Sequence, residues 1–346
     1  MCHACQGNRF FCGAGWLTQG LRRAGIDMRL GIDVDPSCAY PFSANNGVDF
    51  LLADVRGFDP DAIRHHLADC DATVVAGCAP CQTFSTYTQG ARGSDRDDRW
   101  SLLDDFGGAI ASLRPDIVTM ENVGFLERHA IFGEFTRRLR ELGYRVAFAL
   151  VDCRHYGMPQ SRRRLVLLAS LHGEIALPPV TTPDPDQWVT VRDAIGDLPS
   201  LQAGAADPND PLHVASLLSD LNLRRIRASR PGGTWREWPQ ELIAPCHGRR
   251  SGRSYPSVYG RMEWNKPSPT ITGQCYGFGN GRFGHPIQDR AISLREAALL
   301  QTFPTDYAFM PPGERIQFKR IGRMIGNAVP PQLGAVIGMA IMRHLG

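Results

Sequence analysis

The sequence has almost no lysine, no long apolar run and no regular cysteine spacing. Without an apolar run of membrane-spanning length, and without positive charges ahead of an apolar N-terminal stretch, it indicates neither a membrane protein nor a secretory leader. Its ten cysteines are scattered along a chain long enough to bury a core without disulfides, which favours free thiols in a reducing compartment. We therefore expect a cytoplasmic protein with no membrane partner.

Positive charge is concentrated in one part of the chain. Residues 211–290 contain 12 Lys and Arg against 5 Asp and Glu, whereas residues 1–210 contain 20 against 27. A basic segment on an acidic body points to a polyanionic partner. Nearly all of this charge is arginine, which binds phosphates and guanine edges in bidentate fashion, but a GC-rich genome produces the same preference without any function. The concentration of positive charge in residues 211–290 is therefore better evidence for a polyanionic partner than the preference for arginine.

Short apolar runs alternate with helical patterns over the first 170 residues. Strands are predicted up to residue 11 and at 28–33, 51–55, 72–76, 116–123, 144–151 and 165–169. Helices are predicted at 17–24, 102–113 and 131–142, and again from 292 and at 333–345. This alternation is typical of an α/β protein with a parallel sheet of about seven strands. The basic segment that follows interleaves aromatic residues with arginine, which suits either contacts with bases or the core of a small domain.

A glycine turn separates the first strand from the first helix. Gly13 and Gly15 in this turn allow a ligand to approach the helix N-terminus, although a lone G-x-G is weak evidence. The next strand ends in Asp33, about 20 residues later, where nucleotide-binding folds place an acid on ribose hydroxyls. A solvated acid is the common alternative, but the pairing with the glycines favours a ligand. Asp54 stands in the same way in the following predicted strand, in a position to accept a hydrogen bond from the amino group of an adenine.

Cys81 follows the apolar run 72–76, so it stands at the carboxyl end of a strand, where open α/β sheets bind their ligands. With Cys78 it forms a C-x-x-C, which suits a redox pair, half of a zinc site or simple buried filler. A zinc site needs a second pair nearby, and the other C-x-x-C, Cys2 and Cys5, is far away. Metal binding is therefore disfavoured.

Further polar residues are predicted at the same edge of the sheet. Glu121 ends the strand next to the one before Cys81, and the loop 86–101 is long enough to be a mobile lid. Three consecutive arginines stand just before the last strand of the alternating region. Strand alternation puts Arg162 and Arg164 on one face, and although a solvated charge run is the usual alternative, the flanking proline and apolar strand favour a shared cleft.

Six motifs together are similar to those of the DNA (cytosine-5-)-methyltransferase family, bacterial and phage type. They occur in the family's order along nearly the whole chain, with the basic segment lying between the early and the late motifs. The motifs are Phe11-Cys12-Gly13-Ala14-Gly15, Pro80-Cys81-Gln82, Glu121-Asn122-Val123, Gln160-x-Arg162-x-Arg164, Arg295-Glu296-Ala297 with Gln301-Thr302-Phe303-Pro304, and Gly326-Asn327-Ala328-Val329. Ser257 to Met262 and Lys266 to Thr272 resemble the bacterial and phage branch.

The resemblance implies a class I S-adenosylmethionine-dependent methyltransferase fold, Rossmann-like, with a seven-stranded mostly parallel sheet and a small, irregular target-recognition domain. Residues 1–177 are then the catalytic and cofactor-binding domain, 178–285 the target-recognition domain, and 286–346 a segment that packs back on the first. The implied activity is methylation of carbon-5 of a flipped-out cytosine in a specific duplex DNA sequence. We expect a monomer in the bacterial cytosol or nucleoid, with a cognate restriction endonuclease as a candidate partner.

The resemblance also implies roles for individual residues. Cys81 resembles the nucleophile that adds to carbon-6, Glu121 the acid that hydrogen-bonds ring nitrogen 3, and Arg164 the residue that holds the base carbonyl. Arg162, Asn122 and Pro80 complete the base site. The implied S-adenosylmethionine site consists of Phe11, Gly13, Ala14, Gly15, Asp33, Val34, Asp54, Val55, Gly77, Leu102, Asn327 and Val329. The implied DNA-contacting residues are Gln82, Ser85, Arg99, Arg249, Arg253, Tyr259 and Arg261.

Two positions depart from the family's usual pattern. Arg9 stands where an acid is usual, two places before the motif's Phe11, and Trp16 stands where a glycine usually follows Gly15. Alternatives to a DNA methyltransferase are an RNA cytosine-5 methyltransferase, a non-catalytic DNA-binding relative, and a zinc or redox protein. The Cys-Phe-Thr element typical of the tRNA-modifying branch is absent, and the nucleophile, acid and base-holding arginine are intact.

Overall fold

The computed structural model describes residues 5–68, 70–79 and 101–346. Pro80, Cys81, Gln82, Ser85 and Arg99, all of them predicted site residues, lie outside the described residues, as does the predicted lid loop up to residue 100. Cys2 lies outside them too.

Seven strands form one sheet in the spatial order β3-β2-β1-β4-β5-β8-β6, and two more form a small separate pair. The strands are β1 Cys5–Phe10, β2 Asp27–Asp33, β3 Asp49–Leu52, β4 Ala72–Gly77, β5 Ile117–Val123, β6 Arg145–Asp152, β7 Gln160–Ser161, β8 Arg163–Ser170 and β9 Ser268–Pro269. β1 to β5 pair in parallel, and β8 is antiparallel to both β5 and β6. The predicted α/β fold with a mostly parallel sheet is thereby confirmed.

The order of the strands positions the site. From β1 the chain continues outward to β2 and β3, then returns to the other side of β1 to form β4 and β5. The strand order therefore reverses between β1 and β4, and such a switch point leaves a crevice at the carboxyl ends of the strands. The glycine turn after β1 and the residues after β4 both open into this crevice.

Ten α-helices are found in the described part of the chain. They are α1 Trp16–Arg23, α2 Ala39–Asn46, α3 Ser101–Leu113, α4 Ala130–Glu141, α5 Val191–Ile195, α6 Asp220–Arg227, α7 Arg250–Arg253, α8 Leu294–Leu300, α9 Phe318–Asn327 and α10 Pro331–Leu345. The sheet is covered on both faces: Val74 of β4 belongs to one hydrophobic cluster and its neighbour Val75 to the other. Because both faces of β4 are buried, almost every residue of this strand is apolar instead of only every second one.

The last two helices belong to the same core. The stretch Phe318–Leu345 has the length and apolar composition of a membrane span, but 78% of its most apolar window is buried inside the protein, as in a core helix. α10 packs closely on α1: a side chain at Gly20 would come within 2.4 Å of the Pro331 carbonyl oxygen. Only glycine permits this approach.

The basic segment has few regular elements and small cores of its own. Ile226, Phe278 and Ala291 form one cluster, and Trp235, Trp238 and Leu242 form another. The burial of both tryptophans and of Phe278 assigns these aromatic residues to the core of the segment rather than to its surface.

The third strand is shorter than predicted. β3 ends at Leu52, so Asp54 lies in the turn that follows instead of continuing the strand. There its Oδ1 accepts from the backbone N–H of Arg56 at 3.0 Å, a local hydrogen bond that favours a turn over the strand ladder.

Candidate active site

A cavity of about 240 Å³ opens at the carboxyl ends of β1, β4 and β5. Its lining includes eight of the predicted catalytic and cofactor residues. These are Phe11, Gly13, Asp33, Glu121, Asn122, Arg162, Arg164 and Asn327. Residues that are distant along the chain are thus brought to one cavity.

Glu121 and Arg164 form a buried ion pair in its wall. Arg164 Nε lies 3.0 Å from Glu121 Oε1, and the side chains are 14% and 3% exposed. The two residues sit diagonally on the antiparallel strands β5 and β8, because Val123 is the residue directly opposite Arg164. The charges are in contact, but Oε1 has no aligned hydrogen-bond donor within the described residues. The carboxylate therefore keeps hydrogen-bonding capacity for a ligand.

The second carboxylate oxygen is held by a thiol. Cys78 Sγ donates to Glu121 Oε2 at 3.0 Å. Asn122, the next residue of β5, donates from Nδ2 to the carbonyl oxygen of Ala79 at 3.0 Å. Both contacts tie the residues after β4 to the end of β5. Cys81, the predicted nucleophile, is two residues beyond Ala79 in the sequence and lies outside the described residues.

Arg162 also lines the cavity, but its guanidinium donates hydrogen bonds to main-chain carbonyl oxygens of other parts of the chain. It is 3% exposed and donates to the carbonyl oxygens of Ile271 at 3.0 Å, Ala328 at 2.9 Å and Gly326 at 3.3 Å. It thus joins the sheet edge to the chain before α8 and to the end of α9. Arg163 points away, as alternation predicts, and pairs with Asp152 at 3.2 Å.

The turn after β1 has an unusual backbone. Phe11 and Gly13 both have φ of 54°, and Gly15 has φ of 94°. Left-handed φ is strained for a side chain such as that of Phe11, and strain of this kind persists where the surroundings impose it. Asp33 is one such restraint, since its Oδ2 accepts from the Gly13 N–H at 2.8 Å. Its Oδ1 accepts from the N–H of Asp35 at 2.9 Å.

The other predicted cofactor residues do not line this cavity. Asp54 lies outside it in a bidentate ion pair with Arg56 at 2.6 Å, and the hydrogen bonds from Arg56 lower the pKa of the Asp54 carboxyl. Val34 is 64% exposed. The remaining residues are buried or half-buried in the turn, the sheet or the helices: Ala14, Gly15, Val55, Gly77, Leu102 and Val329.

The predicted DNA-contacting residues separate into two groups. Arg249 and Arg253 are exposed at α7. Arg261 is 5% exposed, and its guanidinium donates to four carbonyl oxygens and pairs with Asp289. The guanidinium of Arg261 is thus engaged inside the segment, unlike the exposed side chains of Arg249 and Arg253. Tyr259 packs edge-on against Trp238, with ring centroids 5.8 Å apart, and is half-buried.

Residues 8–343 match the family described as C-5 cytosine-specific DNA methylase. The chain belongs to this family. The methylase is 50% identical over 339 residues to the Type II methylase M.HgiDII of Herpetosiphon aurantiacus, covering 97% of this chain and 94% of that protein. It is 31% identical to the Type II methyltransferase M1.HphI of Haemophilus parahaemolyticus, covering 96% of this chain and 85% of that protein.

A solved structure supports the fold. The methylase superposes with a TM-score of 0.75 on a protein described as a DNA modification methyltransferase encoded within an E. coli prophage. The match covers 98% of this chain and 99% of the other, at 20% sequence identity. At that identity the likeness concerns the fold alone. The family and the curated relatives identify the chain as a DNA (cytosine-5-)-methyltransferase.

Several residues of the methylase's cavity were not foreseen. Cys78 was visible in the C-x-x-C but was not assigned to Glu121. Arg323 of α9 pairs with Asp35 after β2 at 2.5 Å and closes one side of the cavity. The two residues are 288 positions apart, so no local pattern connects them. Arg9 was noted only as a departure from the family.

No metal site is seen in the part of the chain that the structure describes. There, no three His, Cys, Asp or Glu side chains come together in a way that suits a metal ion. Cys2 and Cys81, members of the two C-x-x-C pairs, lie outside those residues.

Proposed function

We propose that this methylase transfers a methyl group from S-adenosylmethionine to carbon-5 of a cytosine flipped out of a specific duplex DNA sequence, through a covalent adduct between Cys81 and carbon-6. The observation that carries the proposal is the single cavity that has the Glu121–Arg164 pair in one wall and the turn after β1 with Asp33 in another. Such a cavity suits a reaction in which a base and a methyl donor must meet.

The wall of the cavity that contains the Glu121–Arg164 pair suits the activation of a poorly nucleophilic carbon. Cytosine carbon-5 becomes nucleophilic only when a thiolate adds to carbon-6. The Cys81 thiolate forms that bond, and the Glu121 carboxyl, in its protonated form, donates to ring nitrogen 3 and relieves the negative charge that develops in the ring. Arg164, fixed beside Glu121, holds the base carbonyl. After carbon-5 has taken the methyl group and lost its proton, the bond from sulfur to carbon-6 breaks and the Cys81 thiolate leaves.

The wall formed by the turn after β1 and Asp33 also fits the proposed cofactor. When bound, S-adenosylmethionine supplies an electrophilic methyl group. The N–H of Gly13 orients Asp33 at the end of β2, where a carboxylate binds ribose hydroxyls, and Asn327 lines the cavity from the end of α9. Arg9, buried in the lining, has side-chain nitrogens without hydrogen-bond partners among the described residues, as expected of a site that completes its bonding with a ligand.

Trp16 is compatible with this site. Its indole ring packs edge-on against Phe303 with ring centroids 6.2 Å apart, and a side chain at Gly13 would come within 2.6 Å of the ring. The ring therefore forms part of the wall beneath the glycine turn. The cavity of about 240 Å³ remains open beside it.

The basic segment suits the DNA. A flipped base costs a few kcal/mol of lost stacking and pairing, which contacts with the phosphates must offset. We propose residues 178–285 as the target-recognition domain, with Arg249 and Arg253 at its surface. Gln82, Ser85 and Arg99 would contact DNA from the segment after Cys81. The Type II names of the relatives favour a cognate restriction endonuclease as a partner, and action on DNA places the enzyme in the bacterial cytosol.

Transfer of tritium from labelled S-adenosylmethionine to mixed-sequence duplex DNA tests the proposal. We expect label on cytosine carbon-5 with the wild-type enzyme and none with Cys81→Ser. Arg163→Lys, which changes a charged residue outside the cavity, is the matched control and should retain activity. Label on RNA in place of DNA would favour the RNA methyltransferase, and DNA binding without label would favour a non-catalytic relative.

A further inference from the structure

Arg9 and Arg290 are the largest side chains that are fully buried in the described residues, and Arg290 is paired with Glu296 whereas Arg9 lines the cavity. Arg9 lies in β1, with an exposure of 0%. Its Nη2 makes a long hydrogen bond of 3.4 Å to the carbonyl oxygen of Phe11, while Nε and Nη1 have no partner among the described residues. Burying a guanidinium is costly unless it is paired, so these two nitrogens call for an acceptor.

The carboxylates of the cavity are already engaged by other groups. Asp33 accepts from two backbone N–H groups. Asp35 accepts from Ser37 and pairs with Arg323. Asp33 and Asp35 thus already have hydrogen-bond or ion-pair partners other than Arg9.

Glu121, the remaining carboxylate, pairs with Arg164 and accepts from Cys78. Burial lowers the pKa of Arg9, while the neighbouring carboxylates of Glu121 and Asp33 oppose that shift in part. Arg9 lines the same cavity as Glu121 and Asp33, so a ligand that spans the cavity from one carboxylate to the other meets a wall that includes Arg9.

The base and the methyl donor of the proposed reaction carry a single anionic group between them. The cytosine ring, the adenine and the ribose are uncharged, and the sulfonium and the amine of the donor are positive. The donor's amino-acid carboxylate is the negative group. A hydrogen bond from arginine to a carboxylate is among the stronger kinds in proteins, particularly where water is excluded.

We propose that Arg9 binds the carboxylate of the methionine part of the cofactor through Nε or Nη1. The inference rests on the proposed function, since it concerns the same cavity. It gives a role to the position where this chain has a positive side chain and the family usually has an acid. The consequence is specific to this enzyme: its affinity for the cofactor product depends on that carboxylate through Arg9.

Calorimetric titration with S-adenosylhomocysteine and with its decarboxylated analogue, which keeps the amine, tests the inference without any turnover. We expect the wild-type enzyme to bind S-adenosylhomocysteine more tightly. Arg9→Met, similar in length but uncharged, should weaken S-adenosylhomocysteine binding about 10- to 100-fold, as for lost hydrogen bonds to charged groups. Binding of the analogue should change little, and Arg9→Lys should recover part of the loss.

Other results would overturn the inference. Equal losses for both ligands would mean that Arg9 only shapes the cavity, and unchanged binding in Arg9→Met would mean that the carboxylate binds elsewhere. If Arg9→Met does not fold, a wild-type enzyme and an Arg9→Lys variant that bind both ligands equally would exclude the role. A wild-type enzyme that binds neither ligand would instead contradict the proposed cofactor, which distinguishes that failure from the failure of the Arg9 role alone.

Discussion

Arginine serves different purposes in two regions of this molecule. At the edge of the sheet, Arg164 lines a cavity and lies 3.0 Å from a buried carboxylate of Glu121. In the basic segment, Arg261 is more deeply buried, and its guanidinium donates to four main-chain carbonyl oxygens. The first arrangement presents charge to a ligand, and the second holds the chain together.

The backbone explains the difference. Strands satisfy the N–H and C=O groups of their neighbours, so side chains at the end of a sheet are free to build a site. The basic segment has few helices and strands, and its buried carbonyls need side-chain donors. Arg225 donates to Leu242 O at 2.9 Å and Arg282 to Gly233 O at 2.8 Å. The number of arginines in this segment therefore overestimates its DNA-binding surface.

The largest effect is expected from Arg261→Met. Four carbonyl oxygens would lose their donor in a buried site, so we expect the free energy of unfolding to fall by about 3–5 kcal/mol. Urea unfolding followed by tryptophan fluorescence measures this change. Arg253→Met, at an exposed position of the same segment, is the control and should leave the urea midpoint unchanged. A fully stable Arg261→Met protein would contradict the structural role.

The same substitution at two neighbouring positions tests the contrast within the site. Arg164→Lys keeps a charge beside Glu121 but loses the planar fork, so we expect kcat to fall about 10²- to 10³-fold, as when a donor to a developing charge is removed. Thermal stability should be nearly unchanged. Arg162→Lys should instead lower the free energy of unfolding by about 2–3 kcal/mol, because the lysine cannot serve three carbonyl oxygens.

Methyl transfer under single-turnover conditions, together with urea unfolding, separates the two results. If Arg162→Lys is stable and inactive while Arg164→Lys is active, the assignment of the two arginines is reversed.

The smallest effect is expected from Arg253→Met. An exposed arginine that contacts a phosphate contributes equally to every DNA sequence, and its loss reduces the slope of log affinity against log salt by about 1. Binding to duplex DNA measured over a series of salt concentrations gives this slope. The preference for one sequence over another should remain. An unchanged slope would place the DNA elsewhere on the basic segment.

The fold class and the family were accessible from the sequence because both depend on local patterns. Apolar runs that end in glycine, cysteine or an acid predicted the strands and their functional edge, and the order of six motifs indicated the family. The pairing of β4 with β5 brings Cys78 and Glu121 together, as expected for consecutive parallel strands. Local spacing specifies such contacts because the strands are adjacent in the sheet.

Only the tertiary structure decided which arginines are available for a ligand. Arg162 and Arg164 are two residues apart and look alike in sequence, yet one is bound by carbonyls from the C-terminal part of the chain and the other lies beside Glu121. The state of Arg9 likewise depends on neighbours from several strands and loops. Burial and pairing of a charge are set by groups that folding brings from far along the chain, and no local pattern contains them.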